Sequence, residues 1–162
     1  MQSMSAYYSN NTHASTSKKL NSLLLPASFV LIALSLSQTA AAITTQDITY
    51  TVDNKAYQGY YAKADRSNAP FILLIHDWDG LTDYEKKRAD MLATVGYNVF
   101  AADMFGADIR PTKLEDKKRL TSTLYDDRSK MRRILAGALN TGQAQGNNVR
   151  AGVTMGYCFG GS

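Results

Sequence analysis

The chain has 162 residues, 44% of them hydrophobic and 20% charged, and a formal net charge of +4 at pH 7. Two of its 18 basic residues and none of its 14 acidic ones precede residue 43, leaving 16 against 14, a balance of +2 that argues against a nucleic-acid partner. A single cysteine excludes an internal disulfide framework, and two histidines, one of them at position 13, offer no zinc spacing, so no metal and no cofactor is expected.

Residues 1–42 read as a leader. Lys18 and Lys19 precede an apolar run over residues 20–36, and a small-residue stretch ends in Ala40-Ala41-Ala42. Basic region, apolar core and Ala-x-Ala site, in that order, form a signal peptide. Cleavage after Ala42 is expected, with export to the periplasm or beyond and no stable membrane association afterwards. An uncleaved anchor is the alternative, but Asn21, Pro26, Ser28 and Ser35 interrupt the run, which is short of the roughly 20 apolar residues a span needs. The residues before Lys18 exceed what a signal peptide requires, so Met4 is a candidate start.

Residues 43–162 read as part of one domain. Ile48-Thr49-Tyr50-Thr51-Val52 and residues 57–62 alternate as strands around the turn Asp53-Asn54-Lys55, which predicts an antiparallel hairpin. Phe71-Ile72-Leu73-Leu74-Ile75 is a continuous apolar run, as in a strand buried on both faces. Thr82-Asp83-Tyr84-Glu85 forms a capping box. The helix it opens points Ala89, Leu92, Ala93 and Val95 inward and ends at Gly96. Residues 97–102 form the next strand and 103–111 a loop. Thr112-Lys113-Leu114-Glu115 reads as a second capping box, opening a helix toward Leu124. Asp126 or Asp127 caps a further helix with Met131, Ile134, Leu135 and Leu139 at helical spacing. Residues 142–148 read as a loop and 149–155 as a buried strand. The basic clusters Lys86-Lys87-Arg88 and Lys117-Lys118-Arg119, interleaved with acids, read as solvated helix faces. Strands alternating with helices predict an α/β fold, a mostly parallel sheet with helices on both faces. The ligand crevice of such a sheet lies outside the carboxyl ends of its strands, where the loops 76–80, 103–111 and 156–160 would meet.

Gly156-Tyr157-Cys158-Phe159-Gly160 follows the last strand and is the cysteine form of the Gly-x-Ser-x-Gly elbow. Cys158 is therefore the candidate nucleophile. Its thiolate is the attacking species, and a helix start would favour that negative charge. Most free cysteines are small buried hydrophobes, but this one sits between glycines at a strand end. The backbone N–H groups of Phe159 and Trp78 are the candidate oxyanion donors. His76 lies on the same rim, 82 positions before Cys158, whereas the base of this fold comes last; bracing the oxyanion loop is its expected role. Asp77 and Asp79 flank Trp78 and could act on the thiol, although Asp in turns usually makes local hydrogen bonds. Arg110 could pair a substrate carboxylate, or be a surface arginine.

Met155-Gly156-Tyr157-Cys158-Phe159-Gly160-Gly161 closely resembles the elbow of dienelactone hydrolases, and the segments 73–80, 89–96 and Ala101-Ala102-Asp103-Met104-Phe105-Gly106 agree in order and character. The resemblance implies an α/β-hydrolase fold and a Cys-Asp-His triad that cleaves cyclic enol esters or related esters. It implies that Cys158 is the nucleophile, that Phe159 and Trp78 supply the oxyanion amides, and that Asp77 stands where well-studied members have a glutamate that takes the thiol proton. Asp is one methylene shorter. Arg110 falls in the loop where family members place a carboxylate-binding arginine, with different local spacing. The family's acid and histidine come after the elbow and have no counterparts in residues 1–162.

The expected function is therefore an exported ester or lactone hydrolase acting on a small-molecule substrate through a Cys158 acyl-enzyme, seen here as the N-terminal portion with the sheet incomplete at its C-terminus. A non-catalytic binding protein on the same fold is the alternative. A thiol redox protein is a third reading, against which the lack of a resolving cysteine argues.

Overall fold

The computed structural model describes residues 42–161, so the leader's basic pair, apolar run and most of its cleavage site lie outside the described residues. Strands β1 (Thr44–Val52) and β2 (Lys55–Lys63) form the expected hairpin, with Val52 opposite Lys55. Asp53 and Asn54 make its two-residue turn at φ +49° and +59°. These signs match the right-handed twist of the flanking strands, and Asp and Asn tolerate them better than other side chains do. There follow β3 (Phe71–Ile75), α1 (Asp83–Thr94), β4 (Asn98–Ala102), α2 (Leu114–Asp126), α3 (Arg128–Ala144) and β5 (Val153–Gly156).

The sheet order is β1-β2-β4-β3-β5. β2 meets both β1 and β4 antiparallel, whereas β3 runs parallel to β4 and β5. The α/β class is as expected, but the sheet is mixed rather than mostly parallel, because the hairpin joins β4 directly. Alternation along β3 divides the core. Phe71, Leu73 and Ile75 pack with Leu124, Met131, Ile134 and Ala138 of α2 and α3, while Ile72 and Leu74 pack with Ala89 and Ala93 of α1. Helices thus cover both faces. Among the described residues no helix is long and apolar enough to cross a membrane.

Four local expectations are corrected. Val95 is 68% exposed, because it closes α1 as its C-cap instead of extending its buried stripe. Thr112 does not cap α2; the N-cap is Lys113, with no side-chain hydrogen bond. Gly142 belongs to α3, where a Cβ would stand 2.6 Å from the Phe71 ring, so a glycine that looks like a loop residue is a packing contact. Residues Val149–Ala151 form a 3-10 turn, and the strand starts at Val153. That residue is 60% exposed, since among the described residues β5 pairs with β3 alone.

The caps generate a contrast. The Asp127 carboxylate accepts the Lys130 N–H at 2.8 Å, so Asp127→Ala should lower the unfolding free energy by about 1 kcal/mol. Thr112→Ala should stay within about 0.5 kcal/mol of wild type. Urea denaturation of the two variants separates these outcomes; a cost at Thr112 equal to that at Asp127 would restore the second capping box.

Candidate active site

The parallel registers pair Ile75 with Ala102 and with Gly156, which brings the carboxyl ends of β3, β4 and β5 side by side. The loops carrying Asp77, Trp78, Arg110 and Cys158 therefore share one rim, as the topology rule requires.

Cys158 is exposed and takes φ +50° in a four-residue 3-10 turn, Cys158–Gly161. Its flanking glycines are there for lack of space. A Cβ on Gly156 would lie 2.1 Å from the Gly160 carbonyl oxygen, and one on Gly160 would lie 2.6 Å from that of Ile75 and 2.7 Å from that of His76. The Gly160 N–H donates to the Tyr157 carbonyl at 2.8 Å and closes the turn. The neighbours of Cys158 diverge. Tyr157 packs on the α1 side, where its hydroxyl accepts from Arg88 Nε at 3.2 Å. Phe159 is buried on the other side, its ring 5.8 Å from His76 and 5.5 Å from Tyr125.

His76 is fully buried. Its Nε2 accepts the Met104 N–H at 3.0 Å, and its Nδ1 meets the Asp77 carbonyl. An acceptor at one nitrogen and a donor at the other is the neutral Nδ1–H tautomer. Burial holds its pKa below the ordinary value, outweighing the raising effects of the Asp77 carbonyl and the Asp103 charge. The ring braces three segments and has no proton acceptor to offer a thiol. Asp77 makes a local turn hydrogen bond: its Oδ1 accepts the Asp79 N–H at 2.8 Å.

The loop after β4 is built around Asp103, which is fully buried. Its carboxylate accepts N–H bonds from Gln58 at 3.1 Å, Phe105 at 3.0 Å and Gly106 at 2.9 Å. Tyr50 donates its hydroxyl to the Asp103 carbonyl at 2.9 Å, and burial followed by the Asp103 charge pushes its phenol well above the usual range. Arg110 folds back on the same loop: Nη1 donates to the Ile109 and Gly106 carbonyls at 2.7 and 3.1 Å and lies 3.6 Å from Asp103. Sequence reasoning attached no role to Asp103, whose signal was its place at a strand end, or to Lys117, which pairs with Asp79.

The pattern of the dienelactone hydrolase family matches residues 57–162. The chain belongs to this family. Among solved structures, the protein named m3DLH superposes with a TM-score of 0.69 at 28% identity, over 74% of this chain and 51% of that one. A dienelactone hydrolase-like promiscuous phosphotriesterase, P91, from metagenomic libraries gives 0.66 at 30% identity, over 74% and 51%. A cold-adapted esterase from an Arctic intertidal metagenomic library gives 0.58 at 19% identity, over 73% and 52%, a likeness of fold alone. The chain thus spans about half the length of these structures. No curated protein matches it significantly.

A histidine that is neutral when folded makes stability depend on pH. Because its folded pKa is depressed, the unfolded chain binds the proton more readily. The contribution of His76 is complete above the ordinary value of 6.5 and is lost as pH falls below it. Melting at pH 7.5 and pH 5 should show the loss, at most about 1.4 kcal/mol per pH unit in that window. His76→Gln should be less stable at pH 7.5 and show a shallower dependence. An equal slope in both proteins would mean that His76 does not remain neutral.

Proposed function

We propose that this chain is the N-terminal portion of an ester or lactone hydrolase that works through an acyl-enzyme on Cys158. The observation that carries the reading is the thiol itself: exposed, at φ +50°, in a turn whose glycines leave no room for side chains. A non-glycine residue in that region is costly and clusters at functional sites. Membership of the dienelactone hydrolase family supports the same chemistry.

In this reading the Cys158 sulfur attacks the acyl carbonyl carbon. The carbonyl oxygen takes up negative charge opposite the N–H groups of Phe159 and Trp78, and the C–O bond to the leaving alcohol or enol breaks as that oxygen gains a proton. Water then cleaves the thioester, which releases the acid and restores the thiol. Asp77 is the candidate acceptor of the thiol proton, through the carboxylate oxygen that does not hold the Asp79 N–H. Arg110 is the candidate contact for a substrate carboxylate, through N–H groups other than those bound to its own loop. The triad acid and histidine are assigned to chain beyond Ser162, consistent with solved relatives about twice the matched length.

The test is pre-steady-state hydrolysis of a chromogenic aryl ester by the full-length product. A burst equal to the enzyme concentration is expected, and Cys158→Ala should abolish it and reduce turnover about 10³-fold or more. Turnover retained in that variant would remove the Cys158 assignment, whereas no turnover in the wild-type protein would favour a binding protein.

The export reading of residues 1–42 belongs to the same proposal. In a bacterial host, N-terminal sequencing of the exported protein should begin at Ile43, and deletion of residues 1–42 should leave the product inside the cell. An intact leader recovered with the membrane would establish an anchor instead.

A further inference from the structure

A side chain outside the elbow holds the oxyanion loop. Lys117 projects from α2, its own N–H bonded to the Lys113 carbonyl at 3.1 Å in the first turns of that helix. Its ammonium makes an ion pair with Asp79 Oδ1 and lies 5.7 Å from the centroid of the Trp78 ring. The Lys117 side chain is 18% exposed and that of Asp79 41%, but Asp79 Oδ1, the oxygen facing the ammonium, is itself shut off from solvent. Asp79 in turn gives its N–H to Asp77 Oδ1 at 2.8 Å. One cation thus engages the side chains of two successive residues, and the turn that presents the Trp78 backbone N–H is tied at both ends.

We propose that Lys117 is a positioning residue that fixes the Trp78 N–H for oxyanion stabilisation. The proposal rests on the ester-hydrolase reading above. A half-exposed ion pair contributes little to stability, but this one fixes orientation, because removal of the cation leaves the covered Asp79 Oδ1 without its counter-charge. It would also remove the cation from the indole face. Asp79 would turn toward water, and the Asp77–Asp79 turn would carry Trp78 with it. The oxyanion donor acts on the transition state, so the loss falls on kcat and leaves KM nearly unchanged.

The test uses the full-length protein labelled with 5-fluorotryptophan, with the Trp78 resonance assigned by its absence in Trp78→Phe. Lys117→Met should shift or broaden that resonance and lower kcat about tenfold, less than deletion of a donor would, with KM within about twofold. Lys117→Arg should restore both. Asp79→Asn should repeat the loss, and the double variant should be no worse than either single one. An unchanged Trp78 resonance in Lys117→Met would overturn the clamp. A shifted resonance with wild-type kcat would overturn its catalytic meaning. Absence of Cys158-dependent turnover in wild type would bring down the hydrolase reading, and the catalytic role of Lys117 with it. That result is recognisable because the Trp78 signal is read independently.

Discussion

The candidate site depends on one close approach of backbone to backbone. Gly160, in the turn after β5, lies against the carbonyl oxygens of Ile75 and His76 at the end of β3, with no space for a Cβ. Gly156 is pressed against Gly160 from the other side. The chain must reverse through Tyr157 and Cys158, and the positive φ at Cys158 follows from that reversal. A non-glycine residue in that region costs about 1–3 kcal/mol. Burial of the Phe159 ring contributes about 1.5–3 kcal/mol, and its stacking on His76 adds a smaller amount, so the strain is offset beside the residue that bears it.

The polar groups beneath the turn follow from the same packing. His76 is trapped between the aromatic rings of Phe105 and Phe159, where burial disfavours the charged imidazole. Its two nitrogens meet backbone from two different loops, so neither carries an unsatisfied polar atom into the core. Asp103 does the opposite: it keeps a buried carboxylate by collecting three backbone N–H groups and the nearby Arg110 guanidinium. Arg110 is thereby drawn to its own loop through Nη1. In the hydrolase reading, a carboxylate-bearing substrate would have to use its remaining N–H groups.

What was legible in the sequence is what local chemistry determines. Asp53-Asn54 announces a two-residue hairpin turn, Thr82 and Glu85 announce the start of α1, and the glycine spacing around Cys158 announces the elbow; each structure is made by residues within a few positions of one another. What was not legible is tertiary. Gly142 looks like a helix breaker until Phe71 is seen against it. Lys117 looks like one of a solvated cluster until Asp79 and Trp78 arrive from a loop 38 positions earlier. The antiparallel junction of β2 with β4 joins segments separated by two other elements, and no periodicity within either strand records it. Arg110 could be placed in the right loop from sequence, but its orientation depends on Asp103, which acquires its role only once β2 supplies the Gln58 N–H.

The elbow also joins the two layers of the domain. Tyr157 reaches into the α1 layer, toward Arg88 and Tyr84, and Phe159 reaches into the layer of α2 and α3, toward Phe105 and Tyr125. Cys158, between them, is anchored from both faces of the sheet while its own side chain stays in the open. In the hydrolase reading this geometry constrains where the general base can stand. The nitrogens of His76, stacked on Phe159, are already bonded to backbone, so this imidazole has no free acceptor for a proton from sulfur. Within this rim that leaves Asp77, through its oxygen not bonded to the Asp79 N–H, as the candidate acceptor. In that reading the described residues hold the candidate nucleophile and the candidate acceptor of its proton, and the triad histidine is assigned to residues outside them.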